Sequence, residues 1–172
     1  MDFKESEMEF GNFDESKCFR IEKSDIYKKN FGGNGFSTVE FVLFRPEKNK
    51  LLFVEAKTTL PDISNKEDFN KNVDGIVKKF VDSFYLTLSL WFENNNYDKR
   101  ELPLNYIDFI NKNVEFTMVL VIKNRKADGI KRIKARITER FPKRELRLWK
   151  FDVIVMNEDF ARKNNLVVSK NT

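Results

Sequence analysis

Residues 37–57 read Ser-Thr-Val-Glu-Phe-Val-Leu-Phe-Arg-Pro-Glu-Lys-Asn-Lys-Leu-Leu-Phe-Val-Glu-Ala-Lys. Two runs of β-branched and aromatic residues, Ser37–Phe44 and Leu51–Lys57, flank Arg45-Pro-Glu-Lys-Asn-Lys50, whose composition is that of a hairpin turn. The stretch predicts two antiparallel strands. Within these apolar runs stand Glu40, Glu55 and Lys57. Side chains alternate between the faces of a strand, so Glu55 and Lys57 leave the same face. Folding about residues 45–50 sets Glu40 opposite residue 55 or 57, and directly opposed residues share a face. All three charges are therefore expected together on one surface of the sheet.

Downstream of Pro61, Phe69, Val73, Ile76, Val77, Phe80, Phe84, Leu88 and Trp91 recur at helical spacing between about residues 66 and 93, and Asn94-Asn-Asn96 supplies a stop. Glu115–Lys123 is an apolar run of buried-strand type. Asp128–Arg140 predicts a second helix with a narrow stripe of Ile130, Ile133 and Ile137, followed by Phe141, and Trp149–Met156 predicts a last strand. Upstream, Cys18–Ser24 alternates weakly as a further strand, and Phe31-Gly-Gly-Asn-Gly-Phe36 has loop composition. Residues 1–16 are expected as a short helix or flexible arm. The order of three strands, long helix, strand, basic helix and strand predicts an α/β fold, a mixed sheet covered by helices. With no internal repeat or low-complexity linker, residues 1–172 are expected to form a single domain.

Composition narrows the chemistry. The chain is 41% hydrophobic and 34% charged, outside the range of disordered or fibrous sequences. It contains no histidine and one cysteine, Cys18. Imidazole relays, His-ligated zinc, internal disulfides and paired-cysteine metal sites are all excluded. Carboxylates, hydroxyls, Lys, Arg and oxygen-ligated metals remain. The acidic start MDFKESEMEF has no apolar leader character, and the apolar stretch Tyr85–Phe92 is broken by Thr87 and Ser89. A cytoplasmic protein with no membrane partner is expected.

Charge is segregated along the chain. Between Lys123 and Lys150 stand 12 basic and 3 acidic residues, net +9, whereas the whole chain carries only +5. The predicted basic helix presents Lys131, Arg132, Lys134, Arg136 and Arg140, a set suited to tracking a nucleic-acid backbone. A merely solvated basic helix is the plainer alternative.

Glu40 and Glu55 at close range in a half-buried setting repel one another, and a single Lys only partly offsets the conflict. A divalent cation resolves it. Glu40, Glu55 and the Ala56 carbonyl are hard oxygen ligands suited to Mg²⁺ or Mn²⁺, with positions left for water and a phosphate oxygen. Lys57 beside them would stabilise charge developing on phosphorus. Without a metal, a surface Glu40–Lys57 pair would contribute only a few tenths of a kcal/mol.

Val39-Glu40 and Glu55-Ala56-Lys57, separated by a hairpin and followed by a helix, resemble the signature of the PD-(D/E)xK nuclease superfamily, over roughly residues 18–123. The first acid is Glu rather than Asp and no Pro precedes it. The resemblance implies a restriction-endonuclease-like fold and Mg²⁺-dependent phosphodiester hydrolysis. It also implies Glu40 and Glu55 as metal ligands and Lys57 as the catalytic lysine. Nucleic acid, DNA rather than RNA, is the expected partner, in defence, restriction or repair, and a homodimer is expected if both strands are cut. Glu22 is an additional candidate acid. Lys78-Lys79 on the long helix read more readily as a solvated face than as a phosphate contact. The alternative function is a non-catalytic module on the same fold, binding nucleic acid or protein.

Overall fold

A computed structural model describes residues 1–33, 35–93, 98–106 and 113–168. In chain order the strands are β1 (Phe3–Glu5), β2 (Met8–Phe10), β3 (Cys18–Phe19), β4 (Phe41–Arg45), β5 (Lys50–Lys57), β6 (Glu115–Ile122) and β7 (Asp152–Asn157). The α-helices are α1 (Lys66–Trp91), α2 (Ala127–Arg140), α3 (Lys143–Trp149) and α4 (Glu158–Lys163). β1 and β2 form a separate two-stranded sheet, and the other strands form a five-stranded mixed sheet in the order β3-β4-β5-β6-β7. β4 is antiparallel to both neighbours, while β5, β6 and β7 run parallel. The mixed sheet with flanking helices is the α/β class that the pattern predicts.

The hairpin closes through a 3₁₀ turn at Pro46–Lys48 and Asn49, whose φ of 52° is left-handed, a conformation that Asn tolerates well. Its register pairs Phe41 with Val54 and Val42 with Phe53. Residues with odd numbers on β5 (Leu51, Phe53) and even numbers on β4 (Val42, Phe44) face α1 and α2, and meet Val73, Ile76, Phe80, Phe84, Ile133 and Ile137 in the main core. The opposite face, with Phe41, Leu43, Leu52, Val54 and Ala56, packs on Met8 and Phe10 of the N-terminal hairpin and on Ala161 and Leu166. A central strand covered on both faces reads as a continuous apolar run, which is why the LLFV stretch lacks polar alternation.

Several boundaries differ from the sequence pattern for identifiable reasons. Ser37–Val39, expected to open a strand, peels away from the sheet because α1 takes two of its backbone donors: Ser37 N–H donates to Asp82 Oδ2 at 3.0 Å and Val39 N–H to Ser83 Oγ at 2.8 Å. The expected strand at 18–24 ends after Phe19, where Ile21–Lys23 turns as a 3₁₀ helix. Residues 1–16 are neither helix nor arm. They form the β1–β2 hairpin and a 3₁₀ turn, and Ser6 and Glu7 both adopt positive φ (48° and 59°), the two-residue turn whose twist suits a hairpin. The usual Asn-Gly signal is absent there, so the turn is hidden in sequence. Trp149 closes α3 rather than opening the last strand, and Lys150 caps α3 with φ 50°. α1 begins at an Asn65 cap and runs 26 residues, close to the predicted span. The proposed Asn94–Asn96 stop lies outside the described residues, as does Asn34 of the glycine-rich loop.

Candidate functional site

Glu40 sits one residue before β4, and its N–H donates to Val54 O at 3.0 Å, continuing the hairpin register toward Glu55. Glu55 is on the α1-facing side of β5, in a row otherwise filled by Leu51 and Phe53, and is completely buried. Lys57, two residues on, reaches back with its Nζ 3.0 Å from Glu55 Oε1. The three charges of the hairpin therefore do gather on one face.

Lys79 of α1 joins them. Its Nζ lies 2.9 Å from Glu55 Oε1, donates to Oε2 at 3.1 Å and stands 3.6 Å from Glu40 Oε1. The plainer reading of Lys78-Lys79 as a solvated face thus holds only for Lys78, which turns outward to Asp82 and donates to the Gly35 carbonyl at 2.7 Å. Lys79 and Ser83 share the edge of the α1 apolar stripe at i, i+4 spacing, flanking Ile76 and Phe80. That placement puts Lys79 within reach of the sheet, but it does not by itself turn the ammonium inward.

The charge balance is strained. Burial, followed by the negative charge of Glu55, pushes the Glu40 carboxyl up to about 7, against the pull of the Lys79 ammonium. Burial also raises Glu55 above the ordinary carboxylate range despite Lys79 and Lys57. Glu5, at the N-terminal hairpin turn, adds to the negative field on Glu40 and is itself paired with Arg20. Sequence reading gave Glu5 no role. Glu22, the additional candidate acid, is exposed on the 3₁₀ turn after β3. It accepts from Thr38 Oγ1 at 3.4 Å, and its charge is felt at Glu40 and Lys79. The Ala56 carbonyl accepts a hydrogen bond from Ser6 Oγ at 3.0 Å, so one of its lone pairs is already engaged.

A sign follows for stability. In the unfolded chain Glu40 ionises near its ordinary value of 4.5, whereas in the folded chain it holds its proton to about 7. The folded state therefore binds more protons in that window, and the contribution is full below the lower value and lost as pH rises through the upper one. With no imidazole in the chain, no histidine titration overlays it. Metal-free protein is expected to lose on the order of 1–3 kcal/mol of stability between about pH 5 and pH 7.5, and Glu40→Gln to flatten the profile. Urea unfolding across that range in a chelating buffer measures both.

No protein-family model, curated protein or solved structure matches this chain.

Beside the charged cluster a cleft of ≈ 450 Å³ is lined by Ser37, Lys57, Asp68, Lys71, Asn72, Gly75 and Lys79. Lys57 pairs in register with Ile122 of β6, and the N–H groups of Lys123 and Asn124 donate to the carbonyls of Lys57 and Thr58 at 2.9 and 3.1 Å. The chain leading into α2 thus leaves the sheet at the edge that holds the cluster. On α2, Lys131, Arg132 and Lys134 are exposed. Arg136 and Arg140 instead tie α2 to α1: Arg136 Nε donates to Asn70 Oδ1 at 3.0 Å, and Arg140 Nε lies 3.7 Å from Asp74. Arg136 is half-buried between the helices, whereas Arg140 stays exposed like Lys131, Arg132 and Lys134.

Among the described residues no group of three or more acidic, Cys or His side chains is arranged to hold a metal. Two carboxylates are nonetheless a sufficient protein share for Mg²⁺, which keeps several waters and completes its shell with substrate phosphates. Glu55 Oε1 is buried and lies 3.0 and 2.9 Å from the ammonium groups of Lys57 and Lys79, so cations already gather at the oxygen that a metal would share with Glu40. No helix among the described residues is long and apolar enough to cross a membrane.

Proposed function

We propose that the chain is a divalent-metal-dependent nuclease of PD-(D/E)xK type on a restriction-endonuclease-like fold, hydrolysing phosphodiester bonds, with DNA the preferred substrate over RNA. The observation that carries this reading is the opposition of Glu40 and the fully buried Glu55 across the β4–β5 hairpin, beside a lysine-lined cleft. Burying two carboxylates together costs several kcal/mol unless positive charge compensates them, and such an arrangement is typical of sites where charge does chemical work. Hairpin, helix and parallel strand in that order, with the acids at the start of β4 and the end of β5, support the fold reading.

Glu40 and Glu55, with the Ala56 carbonyl, would hold Mg²⁺ or Mn²⁺, which would supply Lewis-acid polarisation and lower the pKa of an attacking water. The chain's own groups do the rest. Lys57, a third exposed at 32% and fixed against Glu55, presents a positive charge to the cleft where phosphate charge develops. Lys71 lines the same cleft and draws the backbone in, and exposed Lys131, Arg132 and Lys134 extend the positive surface along α2. These contacts set affinity and register rather than base preference.

Incubation of supercoiled plasmid with Mg²⁺ or Mn²⁺, against a chelator control, tests the reading. Nicked or linear product only with metal is expected. One observation favours a second reading, a non-catalytic nucleic-acid module: the ammonium of Lys79 already compensates both carboxylates. Salt-sensitive binding without cleavage in any divalent metal would establish that module instead.

A further inference from the structure

The ammonium of Lys79 stands where the two carboxylates converge, in contact with three of their oxygens at 2.9, 3.1 and 3.6 Å. We propose that Lys79 is a resident counter-ion that competes with a divalent cation for the Glu40–Glu55 pair, and that metal loading releases its ammonium into the adjoining cleft. The proposal deepens the metal-site reading above and rests on it. A divalent cation at the shared focus of Glu40 and Glu55 would lie within contact distance of the ammonium, and two cations at that range repel strongly in a partly buried site. Lys57 touches Glu55 alone, from the strand end, whereas Lys79 bridges both carboxylates and so occupies the shared focus itself; Lys79, on a flexible four-carbon stem, is the one that leaves.

The structure provides room for it. Lys79 is itself part of the cleft wall, and Gly75, one turn earlier on the same face of α1, has nothing within 4 Å of the position a Cβ would occupy. A glycine inside a 26-residue helix costs about 1 kcal/mol relative to Ala, and here no packing neighbour requires it. Gly75 is exposed in the lining of the cleft, so no side chain stands one turn from the lysine on that side. Lys78, adjacent in sequence, is held outward by Asp82 and the Gly35 carbonyl and takes no part. It is therefore the matched control for loss of one positive charge.

The experiment is calorimetric titration of Mn²⁺, without nucleic acid, into wild type, Lys79→Met, Lys79→Gln and Lys78→Met, with circular dichroism as the check of folding. Removing the competitor is expected to tighten Mn²⁺ binding at least about tenfold in Lys79→Met, with Lys78→Met within about twofold of wild type. Lys79→Gln retains a hydrogen-bond donor for Glu55, so it reports the same tightening if the Met variant folds poorly. Unchanged or weaker binding in the Lys79 variants, with wild type binding Mn²⁺, overturns the role of Lys79 alone. Absence of Mn²⁺ binding in all four proteins overturns the metal-site reading and this proposal together.

Discussion

Glu55→Gln is expected to lower metal-dependent DNA cleavage by at least about 10³-fold, because a carboxylate that fixes the ion is responsible for several kcal/mol of charge stabilisation. The substitution is close to isosteric and keeps the volume at a completely buried position. The amide keeps an oxygen acceptor for the ammonium groups of Lys57 and Lys79, and the urea midpoint of the variant, measured at the pH of the assay, checks that the fold is retained. Loss of cleavage with retained stability separates a chemical role from a structural one. Lys57→Ala is expected to cost about 10²–10³-fold in kcat, the scale of losing one preorganised charge at a transition state. A half-exposed lysine kept only for its ion pair would cost almost nothing in turnover. Steady-state rates on plasmid DNA at saturating Mg²⁺ distinguish these outcomes.

The largest effect on stability is expected at Phe84. This ring, 1% exposed, meets Phe151 at 4.7 Å, Trp149 at 5.0 Å, Phe116 at 5.2 Å and Phe53 at 6.0 Å between centroids, all near edge-to-face. It joins α1 to β5, β6, α3 and the segment entering β7, so no single element can move in to fill its space. Phe84→Ala is expected to cost about 3–5 kcal/mol, combining lost transfer energy with an unfilled cavity. Leu148→Ala, at a position 65% exposed on α3, is expected to cost less than about 0.5 kcal/mol. Urea midpoints at constant m-value provide the comparison. A cost below about 1 kcal/mol for Phe84 would mean that the α1 contact is not part of the cooperative core.

Much of the architecture was legible because its elements carry strong periodic patterns. The α1 stripe from Phe69 to Trp91 and the apolar strand at Glu115–Ile122 lie nearly where the spacing puts them. The hairpin parity was also legible, since a turn at 45–50 pairs even with odd positions and leaves Glu40 opposite 55 or 57; the observed register selects Glu55. Other features depended on tertiary context. The N-terminal hairpin turns on Ser6 and Glu7 at positive φ, and neither is a Gly, Asn or Asp of the kind that announces such a turn. The segment before β4 leaves the sheet because Ser83 and Asp82 on a distant helix take its N–H donors. Lys79 is the most consequential case. A lysine beside an apolar stripe normally snorkels outward, and only the buried charge on Glu55 turns this one inward. Its neighbour Lys78, with the same local sequence, behaves as the pattern predicts.

The same logic divides the basic helix. Of the five basic residues expected to meet nucleic acid, Lys131, Arg132, Lys134 and Arg140 are exposed, Arg140 also lying 3.7 Å from Asp74, and the half-buried Arg136 donates to Asn70 on α1. Composition alone could not sort them, because the acceptors Asn70 and Asp74 lie more than fifty residues away.

The central claim is that Glu40 and Glu55 form a divalent-cation site. Anomalous scattering from crystals soaked in Mn²⁺ tests it most directly. The account predicts a peak between the two carboxylates at the mouth of the β4–β5 hairpin, with Lys79 displaced toward Gly75. An intact Lys79–Glu55 ion pair with no anomalous peak there, at Mn²⁺ concentrations that support any cleavage, would contradict it.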